Sequence, residues 1–376
     1  MKGKMIAAVG ILFSSLLVGS ETTNVPCQVP ASFSQGDQAL PNKECLPSYG
    51  YPGGANLGQD YQFFVTASYT YWYSGEDGLD VATTAAFQSL TGQVLPSEKE
   101  MGVISQDFGY SSGFKTGLGM YFGFDAWELS LDYTYYRREA TQSASAPSLN
   151  PEQGTLLTTN WFLQSSSSNQ AVAGQKLSSK WKLGMDWVDA TLDRPFYQGR
   201  SLTVRPFFGL RSAWIRQRVN VALSEIVNVT SLQDKQVSRN HSNSWAIGPR
   251  AGVGTCFLLG YGLNFQADFG ASLLYTQYTT VKHSEGALVA GATPVSYSMN
   301  NQNTLRPMTE LSLGLGWGSY FCSQAYHFNI DATYDFNYLW SQNMIRQLND
   351  MFILGAVGGP GDLFLHGLTV KARFDF

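Results

Sequence analysis

Apolar and polar side chains alternate one for one along most of this chain. Near its end Phe364, Leu368, Val370, Ala372, Phe374 and Phe376 fall on one face, and Thr369, Lys371, Arg373 and Asp375 on the other. A period of two is a strand. Tyr61, Phe63, Val65, Ala67, Tyr69, Tyr71 and Tyr73 likewise oppose Gln62, Thr66, Ser68 and Thr70, and Trp127, Leu129, Leu131, Tyr133 and Tyr135 oppose Glu128, Ser130, Asp132 and Thr134. Four further runs follow the same rule, from Leu202 to Trp214, Leu263 to Leu273, Leu305 to Trp317 and Phe328 to Tyr338. Between Trp181 and Leu192 the apolar phase slips, from Trp181, Leu183, Met185 and Trp187 to Val188, Ala190 and Leu192, which predicts a β-bulge.

The connections carry a second pattern. Short ones fall near 123–125, 195–199, 260–262 and 319–324, and long polar ones near 74–103, 141–174, 222–239, 283–302 and 341–360. Strict alternation of short and long is how an outer-membrane barrel is wired, with short periplasmic turns and long external loops. The expected fold is therefore all-β, a transmembrane antiparallel β-barrel of about ten strands over residues 61–376. A hairpin within Thr155–Gln164 would make twelve. A soluble β-sandwich alternates just as well, but its strands are nearer six residues and its apolar faces are less aromatic at the ends.

Composition and the N-terminus support the membrane reading. Charged residues are 14% of the chain, against about 25% in soluble domains, while aromatics also reach 14% and glycine contributes 38 residues. Met1-Lys2-Gly3-Lys4, the apolar run to Val18 and the small residues Gly19-Ser20 read as a signal peptide over 1–20. Removing it takes the net charge from −4 to −6, since Lys2 and Lys4 leave with no acidic residue. No basic tract suggests nucleic acid. Residues 21–60 hold Pro26, Pro30, Pro41, Pro47 and Pro52 without periodicity, an irregular periplasmic segment. An exported chain meets an oxidising compartment, so Cys27 and Cys45 could close a local disulfide. Cys256 and Cys322 could pair with each other, pair between chains, or stay reduced.

In a membrane barrel the polar faces line the lumen. The candidate lining is Lys115, Glu128, Asp132, Lys182, Asp186, Arg205, Arg211, Arg250, Asp268, Arg306, Glu310, Asp331, Asp335, Lys371 and Arg373. Such charges either hold water and set ion selectivity or pair across a filled lumen, because a buried charge without a partner is costly. That cost makes pairing the expectation for most of them, and acids and bases are nearly balanced, so no ion selectivity follows. Catalysis by a rim histidine, His241 or His283 with Asp234 and Glu285 nearby in sequence, is disfavoured because a polar loop histidine is usually only solvated. No Cys or His pair has metal-ligand spacing, and no cofactor is expected.

Several segments resemble the Legionella-type major outer membrane protein family. They are Tyr71-Trp72 with Glu76-Asp77-Gly78-Leu79-Asp80, Gly113-Phe114-Lys115 through Gly117-Leu118-Gly119 to Trp127, Asp193-Arg194-Pro195-Phe196, and Arg205-Pro206-Phe207-Phe208-Gly209-Leu210-Arg211. Gly248-Pro249-Arg250-Ala251-Gly252 and Ser272-Leu273-Leu274-Tyr275 look like later landmarks of the same family. The resemblance implies an abundant pore-forming surface barrel, of a kind also found in environmental relatives of chlamydiae. The expectation is an outer-membrane porin-like protein passing small hydrophilic solutes or ions. A closed structural or adhesive barrel, meeting host or envelope proteins through its loops, is the alternative. Outer-membrane lipid, and the barrel-assembly machinery reading the C-terminal strand, are the other expected partners.

Overall fold

The computed structural model describes residues 57, 61–88, 93–95, 102–123, 126–146, 153–162, 173–199, 201–227, 235–287, 293–322, 325–353 and 359–376. Cys27, Cys45 and Asp234 lie outside them. Ten long strands form the wall: β1 (Tyr61–Glu76), β2 (Gly109–Phe122), β3 (Trp127–Ser145), β4 (Ala173–Asp193), β5 (Leu202–Val227), β6 (Lys235–Gly260), β7 (Leu263–Glu285), β8 (Val295–Phe321), β9 (Tyr326–Asn343) and β10 (Gly361–Asp375). Each pairs antiparallel with the next. β10 returns to β1, with Tyr69 opposite Val370, so the sheet closes as a ten-stranded antiparallel barrel. Closure removes the sheet edges that lipid could not satisfy.

The segment that could have added two strands does something else. Gln153–Thr158 pairs with Asp80–Gln88, and its last residues reach β4 through Leu157 opposite Gly174, forming a ribbon at one end of the barrel. The 341–360 connection, expected as a polar loop, contains a helix, α1 (Met344–Ile353). No described helix is long and apolar enough to cross a membrane, and the strands do the crossing. At the opposite end the turns are tight. Tyr261 and Gly262 both take positive φ, 53° and 82°, as the two central residues of a type I′ hairpin require.

The expected bulge in β4 is absent: its register runs unbroken against β3 from Glu128–Asp193 to Ser145–Lys176 and against β5 from Phe207–Asp193 to Ser224–Lys176. Trp181, Leu183, Met185 and Trp187 point inward, and so do Asp189, Thr191 and Asp193 further along the same face. What changes is the environment. Along β4 the interior is polar and the exterior apolar toward the short turns, whereas the interior is apolar and the exterior polar toward the long connections. β5 shows the same inversion. Arg205 and Arg211 point inward below Ala213, Ile215, Val219 and Val221, while outward Phe208, Leu210 and Trp214 give way to Arg216 and Arg218. One face of a continuous strand therefore meets lipid on its lower part and water on its upper part.

Candidate functional site: a charged lumen closed at one end

At the level of the apolar belt the lumen holds a polar cavity of about 450 Å³, reaching the short-turn end past Leu258, Gly262, Gly318 and His327. Strand parity places its charges, and they pair both along the wall, as Arg211 with Asp189 and Lys371 with Asp331, and across the lumen. Arg205 pairs with Asp193 and, at 3.1 Å, with Glu128, which also takes Arg373 at 2.7 Å. Arg211, only 2% exposed, is held by both oxygens of Asp189, at 2.6 and 2.7 Å, and by Glu310 at 2.8 Å. Arg250 donates to Glu310 and, at 3.0 Å, to Thr191. Lys115 reaches Asp335 at 3.1 Å, with its ammonium over the Trp72 ring, and Lys371 reaches Asp331 at 3.0 Å. Such pairing is what buried charge demands.

Small residues make room for these groups. A Cβ at Gly270 would strike the Glu310 carboxylate, and one at Gly117 would strike that of Asp132. Asp132 and Asp268 line the same cavity, Asp132 at 3.5 Å from the Thr66 hydroxyl. Asp331 accepts further hydrogen bonds from Gln266 and Asn329, both at 2.7 Å, and Asp335 from Ser312, Thr333 and Thr369.

Three residues of the sequence-derived lining stand elsewhere. Lys182 and Asp186 face outward. Lys182 pairs with Glu139 at 2.7 Å on the outer wall, and Asp186 accepts from Tyr133 at 2.9 Å and from Arg137 at 2.7 and 2.8 Å. The cause is the assumed slip: in an unbroken β4 the inward acids are Asp189 and Asp193, and Asp186 has the opposite parity. Arg306 does point inward, but above the cavity, against the Tyr278 ring and 3.1 Å from the Met344 sulfur. Asp189 and Asp193 also line the cavity, and one unbroken period through 189, 191 and 193 places them there.

Above the cavity the lumen is shut. Trp72 on β1 stacks on Trp187 of β4 at 6.0 Å and lies 5.8 Å from Tyr136 of β3. Trp181, Tyr278, Val281, Leu339, Leu363 and Leu365 extend this cluster to β4, β7, β9 and β10, and α1 adds Met344, Ile345 and Leu348. Trp161 completes it from the ribbon side and donates its indole N–H to the Asp80 carbonyl at 2.8 Å. α1 is tied by Asn349, which donates to the Asn160 carbonyl at 2.6 Å, and is braced along its own length by Arg346–Asp350 at 2.9 Å. In the turn after β1, burial and the neighbouring carboxylates Asp362 and Asp80 push the Asp77 carboxyl above its ordinary range.

The four histidines are not gathered. His241 and His283 occupy opposite faces of the wall, His283 buried against Asn240 at 2.7 Å and Glu285 at 3.3 Å. His327 sits by Asp375 at 2.9 Å near the short turns, and His366 is on the outer surface beside Tyr334 at 2.7 Å. Among the described residues no acid, Cys and His group has the arrangement to hold a metal ion. Cys256 lines the cavity and Cys322 is exposed in a turn, and both are free thiols.

A closed antiparallel barrel with an apolar belt outside and charges inside is an outer-membrane β-barrel protein. The chain belongs to the family described as the Legionella pneumophila major outer membrane protein precursor, whose model matches residues 58–376. Among solved structures it is similar to the outer membrane protease OmpT from Escherichia coli, at TM-score 0.42 and 7% identity over 84% of this chain and 96% of that one. It is also similar to a major outer membrane protein from Thermus thermophilus, at 0.29 and 11% over 85% and 100%. A Pseudomonas aeruginosa FadL homologue follows at 0.22 and 8% over 85% and 90%. At these scores the three structures carry no functional argument. No curated protein matches the chain.

Proposed function

We propose that the protein is a porin-like outer-membrane protein giving passive, non-enzymatic passage to small hydrophilic solutes or ions, and that the conformation described is its shut state. The observation carrying this reading is the charged cavity of about 450 Å³ at the level of the lipid belt. A barrel serving only as an anchor needs no water-compatible lining there, and ten strands are enough to leave space between paired side chains. Withdrawal of α1, a ten-residue helix, would take Met344, Ile345 and Leu348 out of the closing cluster. A second reading, a closed structural or adhesive barrel acting through its long connections, draws on the complete burial of Trp72, Trp181 and Tyr278.

Single-channel conductance separates them. The chain without residues 1–20 is refolded into a planar bilayer after a gel-shift check of folding. Reproducible current steps are expected, more frequent when residues 344–353 are deleted. Arg205→Ala combined with Arg211→Ala should alter conductance or ion preference. An inserted barrel that stays silent with and without α1 would sink the porin reading and leave the structural one.

A further inference from the structure

The outward wall from β3 to β7, just past the apolar belt, carries charges that neither the lumen nor the apolar cluster uses. Three rows cross neighbouring strands there. The first is aromatic: Tyr135, Trp214 and Trp245, with Trp214 directly opposite Trp245. Two residues further along the same outward faces stand Arg137, Arg216 and Asn243. Two residues beyond those, Arg218 is opposite both Lys182 and His241, and His241 is opposite Lys282. At about 3.3 Å per residue the two basic rows lie roughly 7 and 13 Å past the tryptophans.

Like charges set directly opposite one another destabilise a sheet. Arg137, Lys180, Lys182, Arg216, Arg218 and Lys282 are six cations against two carboxylates, Glu139 and Asp186, an excess of four. The acids also serve as anchors. Asp186 holds Arg137 and Arg216, the latter at 2.5 Å, so both guanidinium groups are set in place above the aromatic row. Beside Arg216 lies an open cleft of about 400 Å³ walled by Asp186, Trp214, Arg216, Asn243, Trp245 and Thr279. The opposite wall lacks this arrangement and shows Tyr73, Tyr110, Tyr334, Phe336 and Phe364 around His366.

We propose that this basic wall binds the phosphorylated headgroup of a glycolipid from the surrounding leaflet, through Arg216, Arg218 and Lys282, with its less polar part against Trp214 and Trp245. Guanidinium groups fit phosphate geometry, and cations a few ångströms past an aromatic girdle stand at headgroup depth. A free anion would use the charges but leave the tryptophan floor without a role. The site is independent of whether the lumen conducts.

The test is native mass spectrometry of the folded chain in detergent micelles, titrated with diphosphorylated lipid A, with the dephosphorylated lipid as control and inorganic phosphate as competitor. Retention of the diphosphorylated lipid is expected, with affinity falling about a hundredfold in Arg216→Ser/Arg218→Ser/Lys282→Ser, since each cation near a lipid surface is worth about 1 kcal/mol. Arg218→Gln alone, the fallback if the triple variant misfolds, should cost several-fold, and Lys235→Ser, further along β6, should change nothing. Equal binding of the dephosphorylated lipid, or unchanged binding by a folded triple variant, would overturn the proposal. Displacement by millimolar inorganic phosphate would overturn it too, because the wall would then be a general anion patch.

Discussion

The two halves of this barrel solve opposite problems with the same ten strands. In the half toward the short turns the outside is dry, so Phe208, Leu210, Leu313 and Leu315 face outward and the charges turn in. In the half toward the long connections the wall from β3 to β7 meets water, so Trp181, Val221 and Tyr278 turn in and Arg216, Arg218 and Lys182 turn out. The wall of β1, β9 and β10 keeps Tyr71, Phe336 and Trp340 outside. The first half is held by lipid around it and by ion pairs within it. The second is held as a soluble protein is, by an apolar core packed across the lumen. Strand pairing runs through both, so the change of environment costs the backbone nothing. The lesson is that a strand's apolar face is set by what lies on each side of it, level by level.

That contrast can be broken from either side. The largest effects should come from the closing cluster: Trp181→Ala removes a wholly buried indole and should cost about 3–5 kcal/mol, read as a lower denaturant midpoint for the lipid-inserted protein. Arg211→Met should cost nearly as much, about 3–5 kcal/mol, because it leaves Asp189 and Glu310 facing each other without their shared cation. A smaller, level-dependent effect is expected on the outer face. Leu313→Arg, within the apolar belt, should cost about 2–4 kcal/mol, whereas Asn220→Arg, outward on β5 beyond it, should cost only about 1 kcal/mol, from facing Lys180 and Arg239. If both arginines cost the same, the boundary between the halves is misplaced. The smallest effect belongs to Lys182→Ser, expected below about 1 kcal/mol because its pair with Glu139 is exposed and Lys180 also reaches that carboxylate. A large conductance change in that variant would return Lys182 to the lumen.

Much of this was legible in advance. Period-two alternation placed the strands, alternating connection lengths supplied the even count, and most of the charged lining followed from parity alone. The failures share one origin. Alternation alone places Lys182 and Asp186 in the lumen and a bulge in β4, because it treats the apolar face as the lipid face along the whole strand. Where Trp181, Leu183, Met185 and Trp187 leave the membrane, the apolar face is instead the inner one. α1 was missed for a related reason: within a polar connection, Met344, Ile345 and Leu348 look like scattered residues until a cavity exists for them to fill.

By itself the sequence determined the export signal expectation, the strands, their number and which residues share a face, since these depend on local periodicity and turn chemistry. Only the tertiary structure decided which face is inside at each level, which acid meets which base across the lumen, and that the lumen is shut by Trp72, Trp187 and α1. Those outcomes depend on residues on different strands, 220 positions apart for Lys115 and Asp335 and 245 for Glu128 and Arg373. Closing the sheet brings them together, and one strand's pattern contains no information about the strand it will face.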